Sequence, residues 1–323
     1  MGQSNTFATT NPGSAVGNTE ELTRGAHRIS PGDTPFYSNT TKVKAKSVMP
    51  EWVLDDRNEV VDTPIAEGAD AVAFEDQFDN QAKVFNYIQT LEENPKVTDD
   101  QDLVDNVSGV NFAGAVVEAL KRLNLKTEKA LLSKNARGVS GAVRTAAGLG
   151  EQIGGASGVF PAEYQTPSAQ VVTGTAPTEV NVDTVLRSMS DESGVQGNYR
   201  CYAGSAWISA FAGNTMRLTS SNDNRTSVNI SGEKGVIKNK IRVYEGQHGD
   251  LELFNLNSKT LFDTSLKSMA YFINPDQVSI KELGGLINKE LPDLGGGRRS
   301  TIRRKFALCV KQPKAHAFWN SIA

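Results

Sequence analysis

The stretch NFAGAVVEALKRLNLKTEKALLSKN, residues 111–135, decides how the rest of the chain is read. Phe112, Val116, Leu120, Leu123 and Leu131 recur at spacings of three, four and eight residues, which lays them along one face of an α-helix. At the helical rise, these 25 residues would form a strut of roughly 37 Å, longer than an ordinary globular helix. Such a helix crosses a whole domain, so the flanking segments read as layers packed on it or as extensions leaving it. The mixture of Gly, Ala, Ser and Thr that follows, residues 136–175, is expected to form a long and partly ordered loop.

Toward the N-terminus, residues 1–40 are polar and rich in Thr, Asn, Gly and Ser, which predicts an extended arm with little core of its own. Within it, AHRISPGDTPFYS (26–38) sets Phe36 and Tyr37 directly after a proline, so a stiffened chain presents an aromatic anchor. KVKAKSVMPEWVLDD (42–56) reads as an edge strand interrupted by Pro50, and AKVFNYIQTLEE (82–93) alternates with period two. Between them lies the acidic stretch DRNEVVDTPIAEGADAVAFEDQFDN. Two strands joined by so long a connection make a projecting hairpin, and a two-stranded ribbon needs a surface to rest on.

Toward the C-terminus, residues 180–194 predict a short helix stopped by Gly194, and NYRCYAG predicts a strand. SAWISAFAG (205–213) predicts a helix ending at Gly213. Residues 237–257 form a hairpin around Gly246 and Gly249, and MAYFINPDQVSIKEL (269–283) carries a buried strand closed by an Asn-Pro-Asp turn. TIRRKFALCVKQPKAHAFWNSI (301–322) reads as a strand followed by a short apolar helix. The order of elements fits an α+β fold without internal repeats.

Composition excludes more than it proposes. A formal charge of −3 is far from the basic balance of a dedicated nucleic-acid binder. The charge is unevenly spread: residues 51–110 hold 16 acids against 3 bases, and residues 281–323 hold 9 bases against 3 acids. Cys201 and Cys309 stand far apart and read as buried thiols. No apolar run approaches the roughly 18 residues of a membrane span, and the first residues lack the pattern of a secretory signal. The glycines at 138, 141, 148 and 150 follow a helix and lack the Gly-Lys-Ser/Thr that a phosphate loop requires. GGGRRS (295–300) reads as a flexible hinge. His27, His248 and His316 stand singly, with no paired spacing for a metal and no nucleophile elbow nearby. Asp55, Asp56 and Asp62 could in principle form a hydrolase dyad or a metal set, although a solvated acidic face is the commoner reading. No catalytic residue, cofactor or metal is therefore expected.

Several of these stretches together resemble one family. ISPGDTPFYS (29–38), EWVLD (51–55), AEGADA (66–71), EKALLSKN (128–135), RTAAGL (144–149) and RRKFALCVKQPKAHAFWNSI (303–322) are similar to motifs of tailed-bacteriophage major capsid proteins with the HK97 fold, especially the SU10-like group. Two departures are one extra alanine at Ala147 and basic residues where the family has a Glu before its closing strand. The resemblance implies an N-terminal arm (1–40), an extended loop reaching a neighbouring subunit (41–98), and a peripheral domain with a spine helix (99–177). An axial domain (178–290) and a C-terminal return to the peripheral domain (291–323) would follow. It further implies assembly into hexamers and pentamers of an icosahedral head around double-stranded DNA. The other expected partners are portal, scaffolding and decoration proteins, in a virion built in the host cytoplasm and without a membrane. Candidate contacts between subunits are Phe36, Tyr37, Trp52, Phe85 and Tyr87, the acids Glu59, Asp62 and Glu67, and the bases Arg298, Arg299, Arg303 and Arg304. An encapsulin-like compartment shell is the alternative, and a metal-dependent hydrolase built on Asp55, Asp56 and Asp62 the remote one.

Overall fold

Two sheets and one long helix divide the apolar residues of the chain between them. The computed structural model describes residues 34–57, 60, 62, 64–70, 76, 78, 80–103, 111–195, 197–216, 230–231, 236–237, 243–292 and 295–322. In chain order, α1 (Pro35–Asn39) leads to β1 (Thr41–Lys44), β2 (Glu51–Asp55), β3 (Gln81–Phe85), β4 (Gln89–Glu93) and β5 (Lys96–Val97). Then come α2 (Asp99–Leu103), α3 (Phe112–Leu132), β6 (Gly138–Ser140), β7 (Val143–Thr145), α4 (Leu149–Gln152) and β8 (Val171–Thr173). The central segment holds α5 (Glu179–Ser193), β9 (Tyr199–Gly204), α6 (Ser205–Met216), β10 (Ile230–Ser231), β11 (Val236–Ile237), β12 (Val243–Gly246) and β13 (Gly249–Leu256). The chain closes with β14 (Ala270–Ile273), β15 (Val278–Leu291), β16 (Arg298–Val310) and β17 (Ala317–Ser321).

The spine is α3. Asn111 caps it by accepting the Gly114 N–H at 2.7 Å. It runs 21 residues, about 31 Å, and is shorter than the expected strut. Ser133 ends it, with an extended backbone and a hydroxyl that donates to the Ala130 carbonyl at 2.8 Å. Ala119 and Leu123 pack with Ile302 of β16, so the helix lies on the five-stranded sheet. That sheet runs β1-β15-β16-β4, with β5 also on β16. The six-stranded sheet runs β12-β13-β9-β14-β17-β8. It carries a second core in which Trp207 of α6 stacks on Phe211 at 5.3 Å and meets Trp319 edge-on at 5.8 Å. α5 covers this core with Val182, Val185, Leu186 and Met189, and ends at Gly194, whose φ of 65° is the left-handed stop its glycine favours.

Several expectations change. The run 82–93 is not one strand: residues 86–88 break it, β3 pairs only with β2, and β4 crosses to the five-stranded sheet. Residues 136–175 are not a loose loop, because Ala147, Leu149, Ile153, Val159, Phe160 and Tyr164 are buried in the main core. Their small residues permit close approach: a side chain at Gly148 would collide with the Ser133 carbonyl. α6 continues past Gly213 to Met216. The terminal apolar run is a strand, since β17 lies between β14 and β8 and is covered on both faces, which erases the alternation that marks a strand in sequence. The change of sheet falls at residues 274–277, between β14 and β15. β16 belongs with β15, and β17 goes back to the six-stranded sheet.

His316 is fully buried, with Nδ1 accepting the Asn274 N–H at 3.1 Å, and burial pushes the imidazole from 6.5 down to about 3. Below pH 6.5 the unfolded chain takes up a proton that the native chain refuses until about pH 3, so native stability falls as pH drops through that window. The expected loss between pH 6.5 and 5.5 is about 1 kcal/mol. Urea unfolding of the unassembled subunit at both pH values measures it. His316→Asn should flatten the dependence, and an equal slope in both proteins would refute the assignment.

Candidate assembly site

Residues 34–40, the part of the N-terminal arm within the described residues, are tied down through one helix start, and residues 1–33 lie outside the described residues. Pro35 occupies the first turn of α1 and has no N–H, so the first free donors are the Phe36 and Tyr37 amides. Both donate to the carboxylate of Glu128 on α3, to Oε1 at 2.9 Å and Oε2 at 2.7 Å. Glu128 is fully buried, and the two charge-assisted bonds together with the helix start hold its charge there. Phe36 then enters the main core, edge-on to Tyr202 at 5.3 Å. The Tyr37 ring lies between Lys42 Nζ at 3.9 Å and the Arg304 guanidinium at 4.7 Å. Its hydroxyl donates to Glu282 Oε1 at 2.8 Å, and burial together with this bond pushes the phenol up to about 12. Arg304 is 7% exposed and donates to Asn124 Oδ1 at 2.8 Å and Thr127 Oγ1 at 3.4 Å. Phe36, Tyr37 and Arg304 thus make their contacts inside their own chain.

The hairpin of β2 and β3 lies on the main core through Leu54 and Val84. Trp52 is half-buried against the main core. Phe85 packs edge-on to Tyr87 at 5.5 Å under the Arg137 guanidinium at 3.8 Å. Asn86, fully buried, donates to the Ala147 carbonyl at 3.2 Å and the Leu308 carbonyl at 2.8 Å, while its Oδ1 accepts the Ala147 and Tyr87 amides at 2.9 Å. Farther out, Asp62 and Glu67 are exposed, and Glu59 lies outside the described residues. Val60, Ile65 and Phe78 stand 94%, 80% and 67% exposed beside them.

The basic C-terminal strand spends much of its charge within the chain. Arg303 lies directly opposite Glu92 across the β16–β4 ladder and meets its carboxylate at 2.8 Å. Arg298 reaches Glu290 at 3.0 Å and Asp102 at 3.7 Å, and Arg299 donates to the Pro292 carbonyl at 3.4 Å. The Asp55, Asp56 and Asp62 set does not converge as a metal site: Asp56 pairs with Lys314 at 3.1 Å, and among the described residues no three His, Cys, Asp or Glu gather to hold a metal.

This arrangement, an anchored arm, a ribbon with its apolar tip in water, a spine helix and two sheets, has a sequence counterpart. Residues 3–323 match the sequence profile of the family described as SU10 major capsid protein. The chain belongs to that family. Solved capsids share its fold at low identity. The capsid of an empty GTA particle is 12% identical, with TM-score 0.61 over 98% of this chain and 100% of that one. The capsid of Cyanophage P-SCSP1u is 10% identical, with TM-score 0.59 over 94% and 93%. The holo-SrpI encapsulin complex from Synechococcus elongatus PCC 7942 is 12% identical, with TM-score 0.55 over 94% and 92%. No curated protein sequence matches. The fold is HK97-like, and this SU10-family major capsid protein is a structural subunit of the phage shell, associates with itself in the virion and is not an enzyme. The encapsulin likeness is one of fold alone.

Sequence reasoning missed Glu128 and Asn86. A Glu one turn after Leu125 and one turn before Leu131 and Leu132 was the available signal for the first. Glu128→Gln removes the charge and turns an amide donor toward a backbone N–H, which should cost about 2–4 kcal/mol. The capsid protein should then release its arm, seen as a lower urea midpoint and faster tryptic cleavage after Lys42. Unchanged midpoint and cleavage would show that the carboxylate is not the anchor.

Proposed function

We propose that this capsid protein builds its shell by reaching from each copy to the next with the 41–98 loop, while the arm (1–40) and the spine helix hold the loop's base. The observation that carries the reading is the connection between β2 and β3, a two-stranded ribbon that joins no other sheet, and the exposure on that connection of Val60, Ile65 and Phe78. Apolar groups of that size gain about 1.5–3 kcal/mol each on burial, a gain left unrealised while they face water. The neighbouring copy supplies it, with Trp52, Phe85 and Tyr87 at the ribbon's base framing the contact. Residues 99–177 with β15 and β16 act as the peripheral domain, and residues 178–273 with β17 as the axial one. Hexamers and pentamers of this unit close an icosahedral head around double-stranded DNA, which is held without sequence specificity. Portal, scaffolding and decoration proteins complete the head during assembly in the host cytoplasm.

Weak heterologous contacts repeated around a ring suit a shell that must close and correct its errors. Reversing Glu59, Asp62 and Glu67 together to Lys should abolish particles while leaving subunit circular dichroism unchanged. Electron microscopy and sedimentation of the expressed protein read the outcome, and normal particles from the triple variant would refute the loop's role.

A further inference from the structure

The basic residues of β16 divide between the two faces of the five-stranded sheet. Side chains alternate along a strand, so residues 298, 300, 302 and 304 share one face and 299, 301, 303 and 305 the other. Ile302 and Arg304 pack on α3, and the Arg298 guanidinium lies 4.4 Å from the Phe112 ring, which makes the even-numbered face the helix side. The odd-numbered face looks away from α3. Its near end is covered, where Ala307 is buried with Ala45 and Ile88, and from Lys305 to Arg299 it is exposed or half-buried.

Strand register sets further cations on that open face. Lys96 of β5 stands directly opposite Arg299, and Lys289 of β15 directly opposite Thr301. Lys96, Lys289, Arg299, Arg303 and Lys305 therefore share one surface. Among the described residues of these strands it holds a single carboxylate, Glu92, which faces Arg303 and meets it at 2.8 Å. Lys96, Lys289 and Lys305 form no ion pair among the described residues. Arg299 donates to the Pro292 carbonyl at 3.4 Å, and its buried Nε has no partner among the described residues. Like charges directly opposite across a ladder repel, so the Lys96 and Arg299 pair weakens the free subunit. A chain with 37 acids could place one there, and it does not.

The spacing suits a polyanion. Arg299 to Lys305 covers about 20 Å at the rise of a strand, and neighbouring strands lie about 4.8 Å apart. One strand of duplex DNA carries a phosphate every 3.4 Å or so of helix axis, so about six phosphates run over the same length. Large apolar groups, which a protein partner would need, are confined to Ile287 and Leu291 on β15. The other basic surface is a groove on α3, lined by Lys126, Lys129 and Lys134 beside Phe262. There Glu93 and Asp263 answer part of the charge, and Leu91, Leu125 and Leu261 line the walls. We infer that the odd-numbered face of the five-stranded sheet is the DNA-facing surface of the subunit, its five cations binding the phosphate backbone without reading sequence. The inference rests on reading the shell as a container for DNA, and it names the side of the subunit turned toward the genome. A subunit of net charge −3 would repel the polyanion it encloses unless its cations were gathered on that side.

Fluorescence anisotropy of the unassembled full-length subunit with a labelled mixed-sequence DNA duplex tests it. Binding should weaken with salt at a log–log slope of about −4, and two unrelated duplexes should bind within about twofold of each other. Arg299→Glu with Lys305→Glu should cut affinity at least about tenfold, and the milder Arg299→Gln with Lys305→Gln should flatten the slope by about 2. Circular dichroism checks that both fold. Lys126→Glu with Lys129→Glu, in the α3 groove, should leave affinity and slope nearly unchanged. Undiminished binding by the sheet variants, loss only in the groove variant, or no binding by the unaltered subunit would each overturn the inference. A sheet variant that binds DNA normally yet forms no particles in electron micrographs would also overturn it, since the face would then meet an acidic surface of another copy. Normal particles from a sheet variant that still binds DNA would remove this face alone and leave the shell reading standing.

Discussion

The rest of the structure depends on a buried negative charge. Glu128 sits fully inside the protein on the spine helix, and its carboxylate is held by two backbone amides from a segment more than ninety residues earlier. A buried carboxylate without such partners would be costly by several kcal/mol, so the arm is needed for the helix to keep this residue, and the residue is needed for the arm to stay. The neighbouring groups extend the constraint. Tyr37 joins the arm to Glu282 of β15, and Arg304 of β16 closes over the same ring while bonding to Asn124 and Thr127 of α3. Arm, spine and both long strands are thereby set relative to one another at one place.

With that base fixed, the charge asymmetry of the sequence divides in two. One part is settled within the chain by strand register, which puts Glu92 opposite Arg303 and brings Lys126 to Glu93. The other part, Asp62, Glu67 and Asp70 of the connection between β2 and β3, is exposed with Val60, Ile65 and Phe78. A monomer gains nothing from that arrangement. For a subunit of a closed shell it is consistent with contacts completed only by assembly.

The long helix, the α5 stop at Gly194, the strand at Tyr199–Gly204 and the hairpin closing at Gly246 and Gly249 were all legible in the sequence. Each is a local feature, carried by periodicity, a cap or a turn residue that acts within a few positions. What escaped were the places where tertiary contact replaces local preference. Ser133 ends α3 early through its own hydroxyl, the Gly-rich 136–175 stretch is ordered by burial of Leu149, Ile153 and Phe160, and β17 is hidden by having both faces covered.

By itself the sequence determined which segments are helical or extended, where the acids and bases concentrate, and which motifs mark the family. Those are properties of neighbouring residues along the chain. Only the tertiary structure decided that Glu128 is an anchor and not a surface charge, that Arg298 and Arg303 of β16 answer acids of their own subunit, and that a cationic groove lies on α3 beside Phe262. The physical reason is separation: each of these facts joins groups tens to hundreds of residues apart, and burial and pairing exist only once the fold has brought them together.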